Sequence, residues 1–301
     1  MCDHFIRQFV TILSLNKTRE FANRLQGFFD GHFYKCPFFS VIGHAIERQQ
    51  IPGKEESMEK QINPKRYSVI REKNPREIVM LRGSGCKWKR CRFCDYHLDS
   101  SSDEQENYEL NKKELMKITG VYGKLEIINS GSFCDLDEQT IRKIIEVCKE
   151  KEIAEVHFEC HWIHRKEVEA FRRRFQKEGI VLKLKIGVET FDHYMRQDIL
   201  CKGMAEDDPA VIASYFDEAC FLFGLPGQTK ESMQQDIETG LAHFERICLN
   251  IMVENSTDIK PDPGVIRVFE KELFPVYKDN PRVDILLDNT DFGVGGEQDD
   301  E

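Results

Sequence analysis

The amino-acid sequence predicts an α/β fold built on parallel strands, and three observations support this. Seven short apolar runs lie between residues 78 and 287. Stretches with the apolar spacing of amphipathic helices separate these runs, and polar or glycine-rich groups follow each run directly. Alternating strands and helices require parallel strands joined by right-handed crossovers. A doubly wound sheet and a complete or partial β/α barrel both satisfy this pattern, and in both the functional residues gather where the strands end.

Each predicted element has its own sequence signal. Short apolar runs predict strands at Ile78–Leu81, Leu125–Ile128, Val156–Phe158, Leu182–Val188, Cys220–Phe223, Ile247–Val253 and Val283–Leu287. Helical spacing predicts helices at Asn111–Ile118, Asp137–Lys151, His164–Lys177, Asp192–Leu200, Thr229–Phe244 and Pro263–Phe274. Asp137, Asp192 and Thr229 are suitable N-cap residues, because their side-chain oxygens can accept hydrogen bonds from the first free backbone N–H groups.

The sequence suggests three segments. Residues 1–57 are rich in phenylalanine and lack a clear periodicity, so we expect either a helical N-terminal extension or sequence upstream of a true start at Met58. Residues 58–296 contain the alternating pattern and form the catalytic domain in this interpretation. Residues 297–301 are mostly acidic, which predicts a disordered tail.

Composition excludes several classes of function. The formal net charge is −10, so the molecule as a whole repels polyanions and we expect no nucleic-acid partner. No apolar stretch approaches the roughly 18 residues of a membrane span, and the first thirty residues lack the order of a secretory signal. The expected location is therefore the cytoplasm, with no membrane partner. Nothing in the sequence indicates an oligomeric state.

Three of the eleven cysteines cluster in one loop. Cys86, Cys91 and Cys94 follow the first predicted strand with the spacing C-x4-C-x2-C, in the stretch "GSGCKWKRCRFCDYH". Three thiols without a fourth ligand at finger-like spacing suit a metal centre that leaves one position open. A structural zinc site closed by His97 is an alternative, and unligated thiols are another.

These features resemble the cluster motif of the radical S-adenosylmethionine (SAM) superfamily. The usual spacing there is C-x3-C-x2-C with an aromatic residue before the last cysteine; Phe93 occupies that position, although this chain has one extra residue between its first two cysteines. Four further segments resemble the family in order, each at a predicted strand end: "NSGSF", "HFEC", "KIGVET" and "FGLPGQT". The resemblance implies a partial (β/α)6 barrel with an N-terminal extension and a C-terminal strand segment.

The same resemblance implies two cofactors, a [4Fe-4S] cluster and SAM. Cys86, Cys91 and Cys94 would hold the cluster. The residues expected to contact SAM are Phe93, Tyr96, Ser130, Gly131, Ser132, Glu159, Val188, Glu189 and Leu225. Among them, Ser130 to Ser132 would bind the methionyl amino group and Glu159 the ribose hydroxyls. An electron donor such as flavodoxin, whose surface is acidic, would meet basic residues of the cluster loop.

Longer stretches, such as "INPKRYSVIREKNPREIVMLRGSGCKW" and "VDILLDNTDFGVG", resemble the queuosine-salvage subgroup, the queuine lyases. That resemblance runs from about residue 62 to 296 and implies cleavage of the free base queuine to 7-aminomethyl-7-deazaguanine (preQ1). Hydrogen abstraction from the cyclopentenediol would precede C–N cleavage.

A deazaguanine substrate presents hydrogen-bond donors at N1 and the 2-amino group and an acceptor at O6. We expect Glu254, Asn255, Asn289 and Asp291 to hydrogen-bond to this edge, with Phe133, Tyr96 or Phe292 stacking on the base. Two alternatives stay open: another radical SAM enzyme acting on a small molecule, tRNA or peptide, and a non-catalytic iron–sulfur or zinc-binding protein.

Overall fold

A computed structural model describes residues 65–287 of the chain. These residues form one eight-stranded sheet in the order β1 to β8. The seven strands β2 to β8 are parallel, and β1 pairs with β2 in the antiparallel direction. The predictions for residues 1–57 and 297–301 lie outside the described residues.

The strands are β1 (Tyr67–Ile70), β2 (Arg76–Leu81), β3 (Lys124–Asn129), β4 (Glu155–Glu159), β5 (Val181–Glu189), β6 (Glu218–Phe223), β7 (Arg246–Ile251) and β8 (Val283–Leu286). The helices are α1 (Glu104–Leu115), α2 (Glu138–Glu150), α3 (Val168–Gln176), α4 (Pro209–Ala213), α5 (Lys230–His243), α6 (Pro263–Val268) and α7 (Phe274–Tyr277). Short 3-10 turns follow β4 and β3, and π-helical turns occupy Met195–Ile199 and Phe269–Leu273.

The sheet curls until its two ends meet. The Arg76 guanidinium in β2 lies 3.4 Å from Asp284 in β8, and the Lys73 ammonium donates to the Val283 carbonyl at 2.8 Å. In a flat sheet these strands would lie six spacings, or about 29 Å, apart. The curl confirms the predicted α/β barrel-like class, with β8 as the C-terminal strand segment.

Apolar packing between the sheet and its helices explains the elements. The strands β2 to β7 are largely buried, as expected for parallel strands covered on their outer face by helices. Beside α3, the rings of Phe158, Phe171 and Phe175 meet edge to face. Asp137 and Thr229 cap α2 and α5, as predicted.

All seven predicted strands are present, and the differences lie at the margins. β1 was not predicted, because its four residues are an isolated antiparallel edge strand without a clear apolar alternation. β7 ends at Ile251, two residues early, where the Met252 N–H turns to the Phe223 carbonyl. α1 begins at Glu104, seven residues before the predicted start, because the polar first turns of this helix carry no apolar stripe. None of the helices within residues 65–287 combines the length and the apolar character that a membrane crossing requires.

Buried charges line the concave face of the sheet. Glu126 in β3 accepts hydrogen bonds from Arg76 in β2, at 2.5 Å, and from Lys185 in β5. β4 lies between β3 and β5, so Lys185 and Glu126 must meet over one face of β4. That face is the concave side of the curved sheet. Burial alone would raise the pKa of the Glu126 carboxyl, but Lys185 and Arg76 hold it well below its usual range. The inner wall is therefore a network of paired charges.

His157 adds a pH-dependent pair to this network. Its ring nitrogens lie 2.9 Å from Glu155 and 3.1 Å from Glu218. Burial would lower the pKa of His157, yet these two carboxylates raise it to about 9. A folded-state pKa above the unfolded value of about 6.5 stabilises the protein fully below pH 6.5, and this contribution is lost as the pH rises through 9.

We therefore expect the free energy of unfolding to fall between pH 6.5 and 9, by on the order of 2 kcal/mol for this group. The variant His157→Gln should lose this pH dependence. Urea denaturation of both proteins at pH 6 and pH 9 measures this change in the free energy of unfolding. An equal change in the two proteins would show that His157 is not charged in the folded state.

Candidate functional site

The loop that carries Cys86, Cys91 and Cys94, called the cluster loop, begins at Arg82, directly after β2. The backbone N–H of Arg82 donates to the Asn111 side chain at 2.8 Å, and the Asn111 amide returns a bond to the Arg82 carbonyl. The Arg82 guanidinium donates to Asn107 and pairs with Glu106 at 2.7 Å. Helix α1 therefore anchors the first residue of the loop.

The segment after β3 holds the next part of the loop. The Cys86 N–H donates to the Ser130 carbonyl at 3.0 Å, and the Ser84 N–H donates to the Asp135 carbonyl at 2.9 Å. Gly83 packs so closely that a Cβ atom there would lie 2.4 Å from the Asp135 carbonyl oxygen. Only glycine allows this approach.

This attachment brings the three thiols together. Cys86, Cys91 and Cys94 are half-buried, and the charges of Cys86 and Cys94 act on Cys91. Burial raises the pKa of Cys91 to about 12 and that of Cys94 to about 11. Cys91 and Cys94 therefore stay protonated until a metal centre stabilises their thiolate forms.

The arrangement does not suit a single ion. Tetrahedral zinc requires its ligands within about 2.3 Å of one point. Within residues 65–287, no three His, Cys, Asp or Glu side chains meet that requirement, and His97 is exposed. Three cysteines without a fourth protein ligand leave one position of a metal centre open, which is the arrangement of an iron–sulfur cluster that binds a further ligand.

A buried ion pair lies beside the thiols. The Lys202 ammonium is 2.6 Å from a Glu189 carboxylate oxygen, and both side chains are buried. Burial would lower the pKa of Lys202, but Glu189 and the Cys91 sulfur raise it above its usual range. The ammonium also lies 5.6 Å from the centre of the Phe93 ring. A permanent positive charge therefore faces the cluster loop.

The backbone of β5 is shaped for this pair. Glu189 has a φ of +68°, and the register of β5 against β6 shifts between Gly187 and Glu189. A Cβ atom at position 187 would lie 2.4 Å from the Glu189 carboxylate and 2.7 Å from the Lys202 ammonium. Gly187 is therefore required for the pair to form.

The segment that carries Lys202 is tied to the cluster loop by His161 and Trp88. The His161 ring nitrogen contacts the Lys202 carbonyl at 2.8 Å, and the Trp88 indole N–H donates to the Cys201 carbonyl at 2.7 Å. The two rings stack with their centres 5.9 Å apart. Burial lowers the pKa of His161 to about 4, so His161 is neutral and acts as a structural tie. Lys202 is not predicted by the sequence, because it lies in a loop without a recognisable motif.

The predicted amino-group site, Ser130 to Ser132, lies against Cys86, but its two hydroxyls are already used. The Ser130 hydroxyl donates to the Asp99 carbonyl, and the Ser132 hydroxyl accepts the His161 N–H at 2.9 Å. A Cβ atom on Gly131 would collide with Asp135, at 2.4 Å. The segment therefore offers a ligand its backbone.

Two buried acceptors around this segment lack a donor. Asn129 Oδ1 and Asp135 Oδ1 have no hydrogen-bond partner among the described residues. Buried acceptors without a donor are rare in folded proteins, because each costs free energy. A ligand with an amino group would satisfy them, which fits the methionyl end of SAM.

Glu159 lies at the end of β4, in the middle of the concave face. It is half-buried, and within residues 65–287 its carboxyl group forms no hydrogen bond. Burial raises the pKa of this carboxyl to about 7, with Lys185 and Lys202 opposing and Glu126 and Glu189 adding to the effect. The carboxyl therefore lies among the charged groups already described.

The remaining predicted cofactor residues differ in accessibility. Val188 is fully buried in the main core. Leu225 packs in a smaller apolar cluster that Phe93 joins, and it borders an open cavity of about 560 Å³. Tyr96 is 58% exposed. Phe93 and Leu225 therefore adjoin the site, whereas Val188 supports it from the core.

Three of the predicted substrate residues contact other parts of the protein in this structure. Phe133 is a core residue, with its ring stacked on Phe171 at 4.0 Å. Glu254 is 70% exposed and pairs with Lys260 at 2.8 Å. Asn255 donates to the Phe93 carbonyl at 2.8 Å, so its amide supports the cluster loop.

The other two predicted substrate residues, Asn289 and Asp291, lie outside the described residues, as does Phe292. They stay predictions.

Comparison with solved structures gives an informative match. No protein-family model matches the chain, and no curated protein matches it. Among solved structures, the chain is similar to queuine lyase from Clostridium spiroforme bound to SAM and queuine, with 42% identity and a TM-score of 0.73. The match covers 77% of this chain and 99% of that enzyme. At this identity and coverage, the chain belongs to the queuine lyase family of radical SAM enzymes.

Proposed function

We propose that the protein is a radical SAM lyase that converts queuine to preQ1. One observation carries this proposal: three thiols gather beside a buried ion pair at the carboxyl ends of parallel strands, in a chain 42% identical to an enzyme bound to SAM and queuine. The reaction would begin with hydrogen abstraction from the cyclopentenediol and end with cleavage of its C–N bond, which leaves the primary amine of preQ1.

The cofactors are those of the family, a [4Fe-4S] cluster and SAM. Cys86, Cys91 and Cys94 would bind three irons and leave the fourth open to SAM. When bound and reduced, this pair supplies a 5′-deoxyadenosyl radical. The protein's contribution is to bind and orient SAM and the substrate, and to exclude water.

Three groups of this chain suit the parts of SAM. The Lys202 ammonium beside the thiols can receive the methionyl carboxylate. The unpartnered acceptors on Asn129 and Asp135 suit the methionyl amino group, and Glu159 can accept from the ribose hydroxyls. Each assignment matches a charge or hydrogen-bonding group of SAM with a complementary group in the site.

The hydrogen-bond donors and the acceptor of the deazaguanine base also need partners in the protein. Asn289 and Asp291, in the segment after β8, stay our candidates for the deazaguanine edge, because an amide and a carboxylate complement its donors and acceptor. Phe133, Glu254 and Asn255 make contacts with other residues, and their role toward the base stays a prediction.

The electron donor would meet the cluster loop from outside. Lys87, Lys89, Arg90 and Arg92 are exposed there, in a chain whose net charge is −10. A local basic patch on an acidic molecule attracts an acidic partner, such as flavodoxin, to this face. A cytoplasmic location is part of the same proposal.

Turnover with queuine tests the proposal. The anaerobically reconstituted protein, supplied with reductant and SAM, should release 5′-deoxyadenosine at least about tenfold faster with queuine than without. Mass spectrometry should detect preQ1 accumulating with it. If free deazapurines have no effect while a peptide or an RNA accelerates the release, the lyase function is wrong.

A further inference from the structure

We propose that Cys220 and Cys248 form a catalytic thiol pair, in which Cys220 gives a hydrogen atom to the ring radical that C–N cleavage leaves behind. This inference rests on the proposed function and names the residues that end the radical reaction.

The two cysteines lie side by side on neighbouring strands. Cys220 in β6 and Cys248 in β7 are register partners, so their Cα atoms lie about 4.8 Å apart. Both are free thiols. A disulfide requires Cα atoms about 4.4 to 6.8 Å apart, so the two sulfurs can join without a large movement of the strands.

Both side chains lie on the concave face of the sheet. Glu218, two residues before Cys220 in β6, contacts Lys185 of the inner charge network at 3.9 Å. Alternate residues of a strand share a face, so Cys220 also points into the curl. Cys248 shares this face, because it pairs with Cys220 in register.

The concave face is open beside the pair. Inward-facing positions on five strands are only half-buried, namely Met80, Ile128, Glu159, Gly187 and Asn250. Cys220 is 8% and Cys248 is 7% exposed, whereas their outward-facing neighbours Phe221 and Leu249 are fully buried. The accessible surface of both thiols therefore faces the interior of the curl, where the substrate would lie.

Cys220 also lies beside the groups that suit SAM. Its register partner on β5 is Gly187. A Cβ atom on Gly187 would lie 2.7 Å from the Lys202 ammonium and 2.4 Å from the Glu189 carboxylate, so this ion pair covers the backbone next to Cys220. One strand spacing therefore separates Cys220 from the ion pair that faces the cluster loop.

The surroundings keep the Cys220 thiol protonated. Cys248 and burial together hold the pKa of this thiol well above its usual range, although Lys185 opposes them. The Cys248 thiol in turn lies 3.4 Å from the Asn250 side-chain oxygen, to which it donates. A thiolate is a nucleophile, whereas a protonated thiol can give up a hydrogen atom. The pair suits the second role.

The proposed reaction leaves an unpaired electron on the ring. Hydrogen abstraction converts a hydroxyl-bearing ring carbon, next to the C–N carbon, into a radical. The C–N bond then breaks, and the departing preQ1 takes the bonding electron pair and the hydroxyl proton. The ring fragment becomes a ketone with the odd electron on its neighbouring carbon. A closed-shell product requires one more hydrogen atom at that carbon.

Cys220 supplies this hydrogen atom. Its S–H bond breaks, a C–H bond forms on the ring, and a thiyl radical remains. The thiyl radical bonds to the Cys248 sulfur, whose proton passes to water. The resulting disulfide radical anion gives one electron to the flavodoxin-type carrier, which SAM cleavage has left oxidised. The pair ends as a disulfide, and an external dithiol returns it to two thiols.

A single turnover in D2O tests the inference. The reconstituted protein, equilibrated in D2O so that its thiols carry deuterium, receives SAM, queuine and one equivalent of reduced flavodoxin, without any thiol reagent. The wild-type protein should place one carbon-bound deuterium on the released ring. It should also convert Cys220 and Cys248 to a disulfide, which mass spectrometry of alkylated peptides detects.

Three variants complete the design. Cys220→Ser keeps the size of the side chain, but its O–H bond is too strong to give a hydrogen atom. 5′-Deoxyadenosine should still form, while ring-bound deuterium falls at least about tenfold and no disulfide appears. Cys248→Ala should keep the deuterium and lose the disulfide, and it keeps the test decisive if thermal unfolding shows that Cys220→Ser is misfolded. Cys148→Ala is the matched control, because Cys148 is a buried thiol of α2, and it should behave as wild type.

Three results would overturn the inference. A wild-type ring product without carbon-bound deuterium, or a fully deuterated one from Cys220→Ser, would show that another group donates the hydrogen atom. Free Cys220 and Cys248 thiols after the wild-type turnover would show that the two do not act as a pair. If the wild-type protein forms no preQ1, the proposed function itself is wrong.

Discussion

Replacement of Cys91 by alanine is expected to abolish both the brown colour of the reconstituted protein and its release of 5′-deoxyadenosine. Cys91 lies between the other two thiols in sequence, and a three-thiol site has no fourth cysteine to replace it in the described loop. Loss of one ligand should lower iron affinity by more than about 100-fold. Iron content and the visible absorption spectrum measure the first effect, and chromatography of SAM products measures the second.

Cys134→Ala is the matched control. Cys134 is also half-buried, and it lies one residue beyond Phe133, but it is packed against the apolar core rather than in the thiol loop. This variant should keep full iron content. Retention of the cluster by Cys91→Ala, or its loss in Cys134→Ala, would show that the ligands are assigned incorrectly.

Lys202→Met should have the second-largest effect. The substitution leaves Glu189 buried without its partner, which is expected to lower the free energy of unfolding by about 3 kcal/mol. It also removes the positive charge beside the thiols, so the Kd of SAM should rise by about 10- to 100-fold. Urea denaturation and equilibrium binding of SAM measure the two effects separately.

The double variant Lys202→Met with Glu189→Gln separates stability from binding. Removing both charges avoids an unpaired buried carboxylate, so much of the lost stability should return while SAM affinity stays low. If the double variant binds SAM as wild type does, Lys202 has only a structural role.

The sequence predicted the strands well because apolar runs and strand ends are local properties. Some of the parallel strands contain continuous apolar segments, so Ile78–Leu81 and Cys220–Phe223 were recognisable without any tertiary information. α1 was predicted too short and β1 was not predicted at all, because neither carries a strong apolar pattern. Those elements owe their positions to tertiary contacts, such as the bonds from Asn111 to Arg82.

The site was less predictable than the fold. The cysteines and the "NSGS" segment were visible because they are contiguous motifs. Lys202 was missed, since only the fold places this loop residue against Glu189 and Cys91. Asn255 illustrates the same limit: its position after a strand predicts a ligand contact, whereas only the fold shows that its amide donates to the Phe93 carbonyl.

Electron paramagnetic resonance of the reduced protein, with and without SAM and alongside metal analysis, tests the central claim most directly. The account predicts about four irons per chain and a spectrum that changes when SAM binds the open iron. One tightly bound zinc per chain, or a cluster whose spectrum is indifferent to SAM, would contradict it.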